Sequence, residues 1–231
     1  MAQLILAVDT SGKKGSIALA RVTTGQLQIE MLEVVALTGG AFSAQLVPEI
    51  ATLLEKHGHS KKDLEAFAVA SGPGSFTGLR VGLAAIKALA EALLKPIVAV
   101  SLLEAVAYGG NRKQSRVLAA LDAGRGDVYV GDYEFNPETG TNAHKRSERL
   151  LSREDFLTEA AQKKAAVTPD AAIAERARGA GIEIEQIDYP DAGVIACIGW
   201  RHLQSGETIR PEELEANYIR HSDAEIFSKP R

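Results

Sequence analysis

The sequence predicts an α/β protein of two lobes, and three observations support that prediction. Apolar runs of strand length alternate with stretches in which apolar residues recur at helical spacing. Two segments, one starting at Leu4 and one at Val117, share the same order of a strand, an Asp-containing glycine turn, a strand and then helices. A chain of 231 residues buries roughly 70% of the surface that its unfolded form exposes, which is enough for two lobes that share a cleft.

The first lobe is predicted to open with a three-stranded meander. Tight glycine turns separate three stretches of strand character, at 4–8, 16–22 and 26–35. From Phe42 the apolar residues fall on one helical face until Gly58 ends the helix. The rest of the lobe is expected to hold a strand over 64–70, a long helix over 76–94, a strand over 97–100 and a helix over 102–108 that ends at a left-handed glycine.

We place the lobe boundary after residue 110, so that residues 1–110 form an N-terminal lobe and residues 111–231 a C-terminal lobe. The last helix or the tail is expected to be able to pack back on the first lobe. Residues 136–149 have the composition of a turn-rich excursion. The other expected elements are strands over 117–121, 128–135 and 165–168 and helices over 152–161, 171–178 and 192–204.

Composition and charge exclude several classes of protein. The chain is 45% hydrophobic with a formal net charge of −4, so neither disorder nor autonomous nucleic-acid binding is expected. Cys197 is the only cysteine, and no two of the five histidines stand in a His-x-x-x-His spacing, so a cysteine-rich or helical two-histidine metal site is excluded. Because the apolar start lacks a basic leader and soon meets Asp9, we expect no signal peptide, no membrane contact and a cytoplasmic location.

Two hairpin turns are candidate phosphate sites. The first, Asp9-Thr10-Ser11-Gly12, combines a carboxylate, two hydroxyls and turn amides that could hold a magnesium-bound phosphate. The second lies between Asp122 and Tyr129, where Arg125 at the tip could reach a phosphate or a carboxylate. An ordinary hairpin loop explains both sets of residues as well, because Asp and Ser commonly bond their own backbone in turns.

A third glycine turn, Gly72-Pro73-Gly74-Ser75, follows a strand and opens the long helix. The helix N-terminus presents free amides to any anion there. Its glycine spacing misses the dinucleotide motif by one residue and no P-loop lysine follows, so both of those motifs are excluded. Ser75 is explained equally well as the helix N-cap.

The long helix contains Gly78 and Gly82, each of which costs about 1 kcal/mol relative to alanine. Such glycines indicate a neighbour packed very close to the helix backbone, either a helix of this chain or a helix of a partner. If a partner fills this position, the candidate interface combines one face of each of the two longest first-lobe helices. Its residues are Phe42, Leu46, Ile50, Leu53, Gly78, Gly82, Ala85 and Leu89.

Three blocks of the sequence resemble the TsaB (YeaZ) family. They are Leu4-Ile5-Leu6-Ala7-Val8-Asp9-Thr10-Ser11, Ser71-Gly72-Pro73-Gly74-Ser75-Phe76-Thr77-Gly78-Leu79-Arg80-Val81-Gly82 and Leu121-Asp122-Ala123-Gly124-Arg125-Gly126-Asp127-Val128-Tyr129. The glycine-proline-glycine block is specific to TsaB and its paralogue TsaD. Near the other end, Asn217-Tyr218-Ile219-Arg220 is similar to the family's Pro-x-Tyr-Leu-Arg, except at Asn217 and Ile219.

The resemblance implies the two-lobed fold of actin, Hsp70 and sugar kinases (ASKHA), with a mixed sheet and flanking helices in each lobe. It further implies a non-catalytic subunit in the formation of N6-threonylcarbamoyladenosine next to the tRNA anticodon. TsaD, which carries the metal and the transferase site, would be its direct partner, and the ATPase TsaE would join the complex. We accordingly expect a homodimer of the isolated chain and contact with tRNA only through the complex. No intrinsic cofactor or metal is expected, because the first helix here lacks the histidine pair of TsaD.

Nucleotide binding separates the leading hypothesis from its alternative. The glycine-rich adenosine loop of the superfamily corresponds here to Val167-Thr168-Pro169-Asp170, which has no glycine, so tight binding of ATP by the isolated chain is not expected. A nucleotide at the joint interface with TsaD stays open. The vestigial nucleotide or phosphate site would consist of Asp9, Thr10, Ser11, Gly74, Ser75, Asp122 and Arg125. The alternative is an ATPase or phosphotransferase of the same fold that uses Asp9 and Asp122; a protease lacks both a metal-ligand set and a nucleophile in this sequence.

Overall fold

A computed structural model describes residues 2–23, 29–38, 41–110, 115–136, 144–162 and 166–220. Within these ranges the chain forms two five-stranded mixed sheets with helices on their faces. The predicted α/β class with two mixed sheets is therefore confirmed. The expected start of the third strand at 26–28, the linker at 111–114, the first half of the excursion at 137–143 and residue 165 lie outside the described residues.

The first sheet has the strand order β3-β2-β1-β4-β5. Its strands are β1 (Ala2–Asp9), β2 (Gly15–Thr23), β3 (Ile29–Leu37), β4 (Leu64–Gly72) and β5 (Ile97–Ser101). The first three strands form an antiparallel meander, whereas β4 and β5 run parallel to β1. Because parallel strands end at the same edge of a sheet, the turns after Asp9 and Gly72 meet there.

The second sheet repeats this topology in the order β10-β9-β6-β7-β8. Its strands are β6 (Arg116–Gly124), β7 (Asp127–Glu134), β8 (His144–Ser152), β9 (Ala166–Thr168) and β10 (Glu185–Gln186). Again three strands form an antiparallel meander, and β9 pairs parallel to the first strand of the lobe. The internal repeat predicted from the two turn-containing hairpins is thus present in the fold.

Six α-helices of the described residues cover the sheets in layers. They are α1 (Phe42–Lys56), α2 (Phe76–Leu93), α3 (Leu102–Gly109), α4 (Arg153–Gln162), α5 (Ala171–Gly179) and α6 (Ala192–Gln204). The first two pack on the outer face of the first sheet, α4 and α5 pack on the outer face of the second, and α3 and α6 lie between the sheets. A single buried cluster, from Ile5 to Ile198, spans both sheets through these two middle helices.

The chain returns to the first lobe near its end. Helix α6 packs on β1, β2 and β4, and Ile209 then forms an antiparallel bridge with Ile97. Leu214 is buried in the core beneath α2. These contacts place Ile209 and Leu214 on the first lobe, while the division into lobes at residue 110 stays a prediction.

Two local expectations are corrected by the structure. The excursion expected over 136–149 contains the first part of β8, whose run of charged residues hides the apolar alternation on which a strand prediction depends. Helix α3 ends at Gly110 with φ −79°, which is not left-handed. Close packing explains the glycine at this position instead, because an added Cβ at Gly110 would lie 3.1 Å from the side chain of Val167.

The ends of α2 follow from its sequence. Ser75 accepts a hydrogen bond of 3.3 Å from the Gly78 amide at the N-terminus, and the helix ends where Leu94 turns left-handed at φ 54° ahead of Lys95 and Pro96. The N-cap explanation of Ser75 therefore holds. None of the described helices combines the length and the apolar character needed to cross a membrane.

Candidate functional site

A cleft of about 800 Å³ opens between the lobes where the glycine turns converge. The first lobe contributes Asp9, Ser11, Gly12, Lys13, Lys14, Pro73, Gly74 and Ser75 to its lining, and the second contributes Asp122, Ala123, Gly124, Tyr129 and Asp170. The sequence predicted that these turns carry the site, and the structure brings five of the seven predicted phosphate-site residues to one cleft. Thr10 and Arg125 are not among the lining residues.

Asp9 and Ser11 are buried residues of the first-lobe wall, 5% and 3% exposed. The Asp9 carboxylate accepts a hydrogen bond of 2.8 Å from the Ser11 amide. Burial raises the pKa of Asp9, and the neighbouring Asp191 carboxylate adds to the effect. The Ser11 hydroxyl is buried beside the Asp9 carboxyl, and its hydrogen bond opposes the effect of burial on that pKa. This wall therefore holds a buried acid that resists ionisation, with a buried hydroxyl beside it.

Thr10 serves the fold rather than the cleft. Its hydroxyl donates a 2.8 Å hydrogen bond to the Gly78 carbonyl, and the residue is 2% exposed. A Cβ at Gly78 would lie 2.0 Å from the Thr10 carbonyl oxygen, and a Cβ at Gly82 would lie 2.3 Å from the Thr10 hydroxyl oxygen. The absence of side chains at the two glycines thus allows the turn after β1 to pack directly against the backbone of α2. This corrects both the phosphate role expected of Thr10 and the expectation that a partner's helix fills the glycine notch.

The turn Gly72-Pro73-Gly74-Ser75 is hydrogen-bonded to the turn after β1. The Ser75 amide donates a hydrogen bond of 2.7 Å to the Ser11 carbonyl. Gly74 sits so close that an added Cβ would stand 2.5 Å from the same carbonyl oxygen. Only glycine fits at this approach of two backbones. The first-lobe half of the cleft is therefore one rigid unit.

The second lobe adds a carboxylate that the sequence analysis missed. Asp170 accepts a 2.7 Å hydrogen bond from the Asp122 amide and another from the Tyr189 hydroxyl. Burial and the Asp170 carboxylate raise the pKa of Tyr189. Asp170 occupies the N-cap position of α5, but its side chain makes no capping hydrogen bond. A sequence-based assignment as a helix cap would therefore have missed its contacts with Asp122 and Tyr189. Arg125 instead stands at the tip of the β6–β7 turn, with φ 57°.

Charge in the cleft is mixed. Asp9, Asp122 and Asp170 line it together with Lys13 and Lys14. Among the described residues, no three side chains of His, Cys, Asp or Glu are grouped so that they could hold a metal ion. A phosphate in this cleft would meet the Lys13 and Lys14 ammonium groups on the first lobe and the Asp122 and Asp170 carboxylates on the second, whose like charge disfavours its binding.

The predicted partner interface is largely internal. Phe42, Leu46, Ile50 and Leu53 are at most 8% exposed and hold α1 on the first sheet. Gly78 and Gly82 are buried against the turn after β1. Ala85 and Leu89 are partly exposed. The structure corrects this set, because a side chain already packed in the core of its own chain is not presented to a partner.

An exposed apolar groove nevertheless runs between α1 and α2. Its walls include Val47 and Phe76, which are 54% and 49% exposed, and also Ala84 and Ala85. We call it the α1–α2 groove. Val47 and Phe76 were missed because both lie off the apolar stripes from which the core was predicted, so a search for apolar residues outside those stripes would have found them.

Tyr218 lies at the edge of the α1–α2 groove. Its ring stacks on Phe76 with centroids 5.4 Å apart, and its hydroxyl oxygen accepts a 3.3 Å hydrogen bond from Arg80. The Arg80 guanidinium also lies 3.7 Å from the centre of the Phe76 ring. A residue from the end of the described chain thus joins the surface formed by α2.

Comparison with known proteins agrees with this architecture. The family model TsaD, described as tRNA N6-adenosine threonylcarbamoyltransferase, matches residues 36–189. The tRNA threonylcarbamoyladenosine biosynthesis protein TsaB of Bacillus subtilis is 37% identical over 131 residues, which are 57% of this chain and 55% of the relative. The protein of the same name from Escherichia coli is 34% identical over 152 residues, 65% of this chain and 63% of the relative. The matched chain thus spans less than two thirds of the length of these two relatives.

Two solved structures extend the match over nearly the whole chain. YeaZ from Pseudomonas aeruginosa superposes with a TM-score of 0.73 at 26% identity, over 94% of this chain and 99% of that one. A protein described as similar to peptidase YEAZ, also from Pseudomonas aeruginosa, gives a TM-score of 0.76 at 28% identity, over 94% and 100% of the two chains. The family model, the sequence identities and the shared fold agree: the chain belongs to the TsaD family and, within it, to the TsaB (YeaZ) group.

Proposed function

We propose that this chain is a non-catalytic subunit in the biosynthesis of N6-threonylcarbamoyladenosine in tRNA, and that it acts by binding a TsaD-type partner. The α1–α2 groove is the observation that carries the proposal. Its exposed Val47 and Phe76 are large apolar side chains beside one another on two helices. Removing this apolar surface from water would favour association with another protein.

The geometry of the groove suits a helix of the partner. Two adjacent helices present a furrow into which the ridge of another helix can pack. Val47 and Phe76 are already about half buried, so covering their remaining exposed surface would contribute about 1 kcal/mol each. Arg80, at the rim, supplies one positive charge for orientation. In the absence of the partner, the same groove would accept a second copy of the chain.

The cleft supports a non-catalytic role. A transferred phosphate would face the Asp122 and Asp170 carboxylates on the second lobe, and their like charge disfavours its binding. In the position of the superfamily's adenosine loop, the chain has Pro169 rather than glycine. The chain's net charge of −4 likewise favours contact with tRNA through other subunits, with TsaE joining the TsaD-bound complex.

One observation favours the alternative phosphotransferase. Asp9 and Asp122, the two acids that such an enzyme would use, line the same cleft from opposite lobes. The two functions differ in which surface is needed. A subunit that only binds needs the α1–α2 groove, whereas an enzyme needs the cleft carboxylates.

The experiment is replacement of the gene in its own cell, with the modified nucleoside in tRNA measured by mass spectrometry. We expect depletion of the chain to remove N6-threonylcarbamoyladenosine and the wild type to restore it. Asp122→Asn should restore it as well, because the half-exposed carboxylate is not used. Val47→Glu should fail at equal cellular abundance, because it places a charge in the groove. Loss of modification with Asp122→Asn and full restoration by Val47→Glu would overturn the proposal in favour of the phosphotransferase.

A further inference from the structure

Residues 217–220, which we call the C-terminal strap, contact both lobes within four positions. The Asn217 amide donates a 2.7 Å hydrogen bond to the carbonyl of Ser71, at the end of β4 in the first lobe. Arg220 donates a 2.6 Å hydrogen bond to Asp127, the first residue of β7 in the second lobe. The same guanidinium reaches the Gly124 carbonyl, on the cleft side of the β6–β7 turn. The strap therefore bridges the two turns that border the cleft.

The strap is anchored on a buried carboxylate. The Glu148 side chain, on β8, is only 5% exposed and accepts a 2.6 Å hydrogen bond from the Asn217 side-chain amide. It also accepts hydrogen bonds from the hydroxyls of Ser101 and Tyr133. The Lys145 ammonium nitrogen lies 3.9 Å from a carboxylate oxygen of Glu148. Donors from β5, β7 and the strap thus converge on one carboxylate, and each keeps a buried charge satisfied.

The middle of the strap contacts the edge of the α1–α2 groove. Tyr218, the residue after Asn217, stacks on Phe76 and accepts the hydrogen bond from Arg80. Ile219 packs against the core shared by the two sheets. Side chains on successive strap residues therefore contact the anchor, the α1–α2 groove and the common core in turn.

We propose that the C-terminal strap, anchored on Glu148, fixes the two lobes relative to each other and positions Tyr218 as part of the surface that a TsaD-type partner binds. The identity of the partner rests on the proposed function; the fixing of the lobes does not. Asn217 is a positioning residue, since its buried bond with Glu148 acts on the partner surface only through Tyr218. Breaking that bond should therefore loosen the cleft turns and weaken partner binding together.

Asn217→Asp is the sharpest test. It replaces the amide donor by a carboxylate of nearly the same shape, directly against Glu148. The two charges repel in a buried site, so the strap should detach. We expect faster hydrogen exchange in the peptides that cover 214–220 and 124–127, and partner affinity weakened about tenfold or more. Glu215→Gln is the matched control, because it changes one charge at an exposed position two residues before the strap.

A second substitution separates the bond from general damage to the fold. Adding Glu148→Gln to Asn217→Asp exchanges donor and acceptor, so that the glutamine amide can donate to the new aspartate. This double variant should recover most of the exchange protection and affinity. Tyr218→Ala, at a 40% exposed position, should weaken partner binding and leave exchange at 124–127 unchanged.

The outcomes are distinct. Unchanged exchange at 124–127 in Asn217→Asp, or a double variant no better than the single one, would overturn the fixing of the lobes by the strap. Unchanged affinity in Tyr218→Ala would overturn its place in the partner surface. If the wild type itself does not bind the purified TsaD-type protein of its own cell, the proposed function fails, and the exchange measurements still decide whether the strap fixes the lobes.

Discussion

The Thr10 hydroxyl donates a 2.8 Å hydrogen bond to the carbonyl of Gly78, which joins the turn after β1 to the first turn of α2. The contact is so close that an added Cβ at Gly78 would stand 2.0 Å from the Thr10 carbonyl oxygen. One wall of the cleft and one helix of the α1–α2 groove are therefore packed backbone to backbone. A change at this contact acts first on the stability of the chain and only then on binding.

Gly78→Ala and Gly82→Leu should accordingly destabilise the isolated chain. Each places atoms where Thr10 already lies, and overpacking of this kind costs about 1–3 kcal/mol or more. Urea unfolding measures the loss. Gly179→Ala is the matched control, because a Cβ there meets nothing within 4 Å and the helix gains a better former. If the unfolding midpoints of Gly78→Ala and Gly82→Leu equal that of the wild type, the turn after β1 shifts to accommodate the added atoms, and the prediction is wrong.

Asp9 should make stability fall as pH rises above the ordinary carboxyl pKa. Burial raises the pKa of this carboxyl in the folded chain, so the folded state binds the proton more tightly than the unfolded state does. Stability is therefore lost between the ordinary carboxyl pKa and the raised one. Asp9→Asn cannot ionise and still accepts from the Ser11 amide. Its free energy of unfolding should exceed that of the wild type at neutral pH, with the difference closing near about pH 4.

Asp63 provides the control of opposite sign for this titration. Hydrogen bonds from Ser60 lower the pKa of the exposed Asp63 carboxyl, so its contribution is present at neutral pH and is lost as pH falls. Asp63→Asn should therefore be less stable than the wild type at neutral pH and equal to it in acid. The same pH trend in both variants would contradict the account of Asp9.

His202 links α6 to α3, and its contribution should be lost as pH rises. The hydrogen bond to Glu104, 2.9 Å long, is the main cause that raises the pKa of His202 above 6.5, and Glu207 adds to it. A raised histidine pKa stabilises the fold below about pH 6.5 and ceases to do so above the folded value. The free energy of unfolding should decline over that range in the wild type. His202→Gln, with Arg201 and His144 left in the same pocket, should flatten the decline; an unchanged slope would assign it to another group.

ATP should not bind tightly to the isolated chain. The cleft presents the Asp122 and Asp170 carboxylates on the side where the superfamily has its glycine-rich adenosine loop. Isothermal calorimetry with ATP and magnesium should give no saturable heat in the micromolar range. A micromolar dissociation constant for the chain alone would favour the phosphotransferase over the non-catalytic subunit.

The fold was predictable where turn chemistry and periodicity agree. The strands around Asp9 and Asp122 and the helix that begins after Ser75 were all indicated by apolar runs that end at glycine turns. Strand β8 escaped prediction because an edge strand carries charge in place of alternation. Strand β10, with two residues, is too short to leave a pattern.

The site was predictable in its turns but not in its contacts. A glycine in a helix indicates a close neighbour without saying which one, and for Gly78 the neighbour is a backbone 68 residues away in sequence. Asp170 and Tyr189 join the cleft only through the pairing of distant strands. Helix periodicity separated core from surface, but the exposed Val47 and Phe76, on which the proposed binding surface rests, lie outside that pattern.

The affinity of the chain for the purified TsaD-type protein of its own cell, with and without a charge in the α1–α2 groove, tests the central claim most directly. Calorimetry on the wild type should show saturable binding. Val47→Glu should weaken that binding by one to two decades at an unchanged melting temperature, since Val47 is 54% exposed in the isolated chain. Leu94→Glu, at a 90% exposed apolar residue outside the groove, should bind as the wild type does. Equal affinities for Val47→Glu and the wild type would contradict the account.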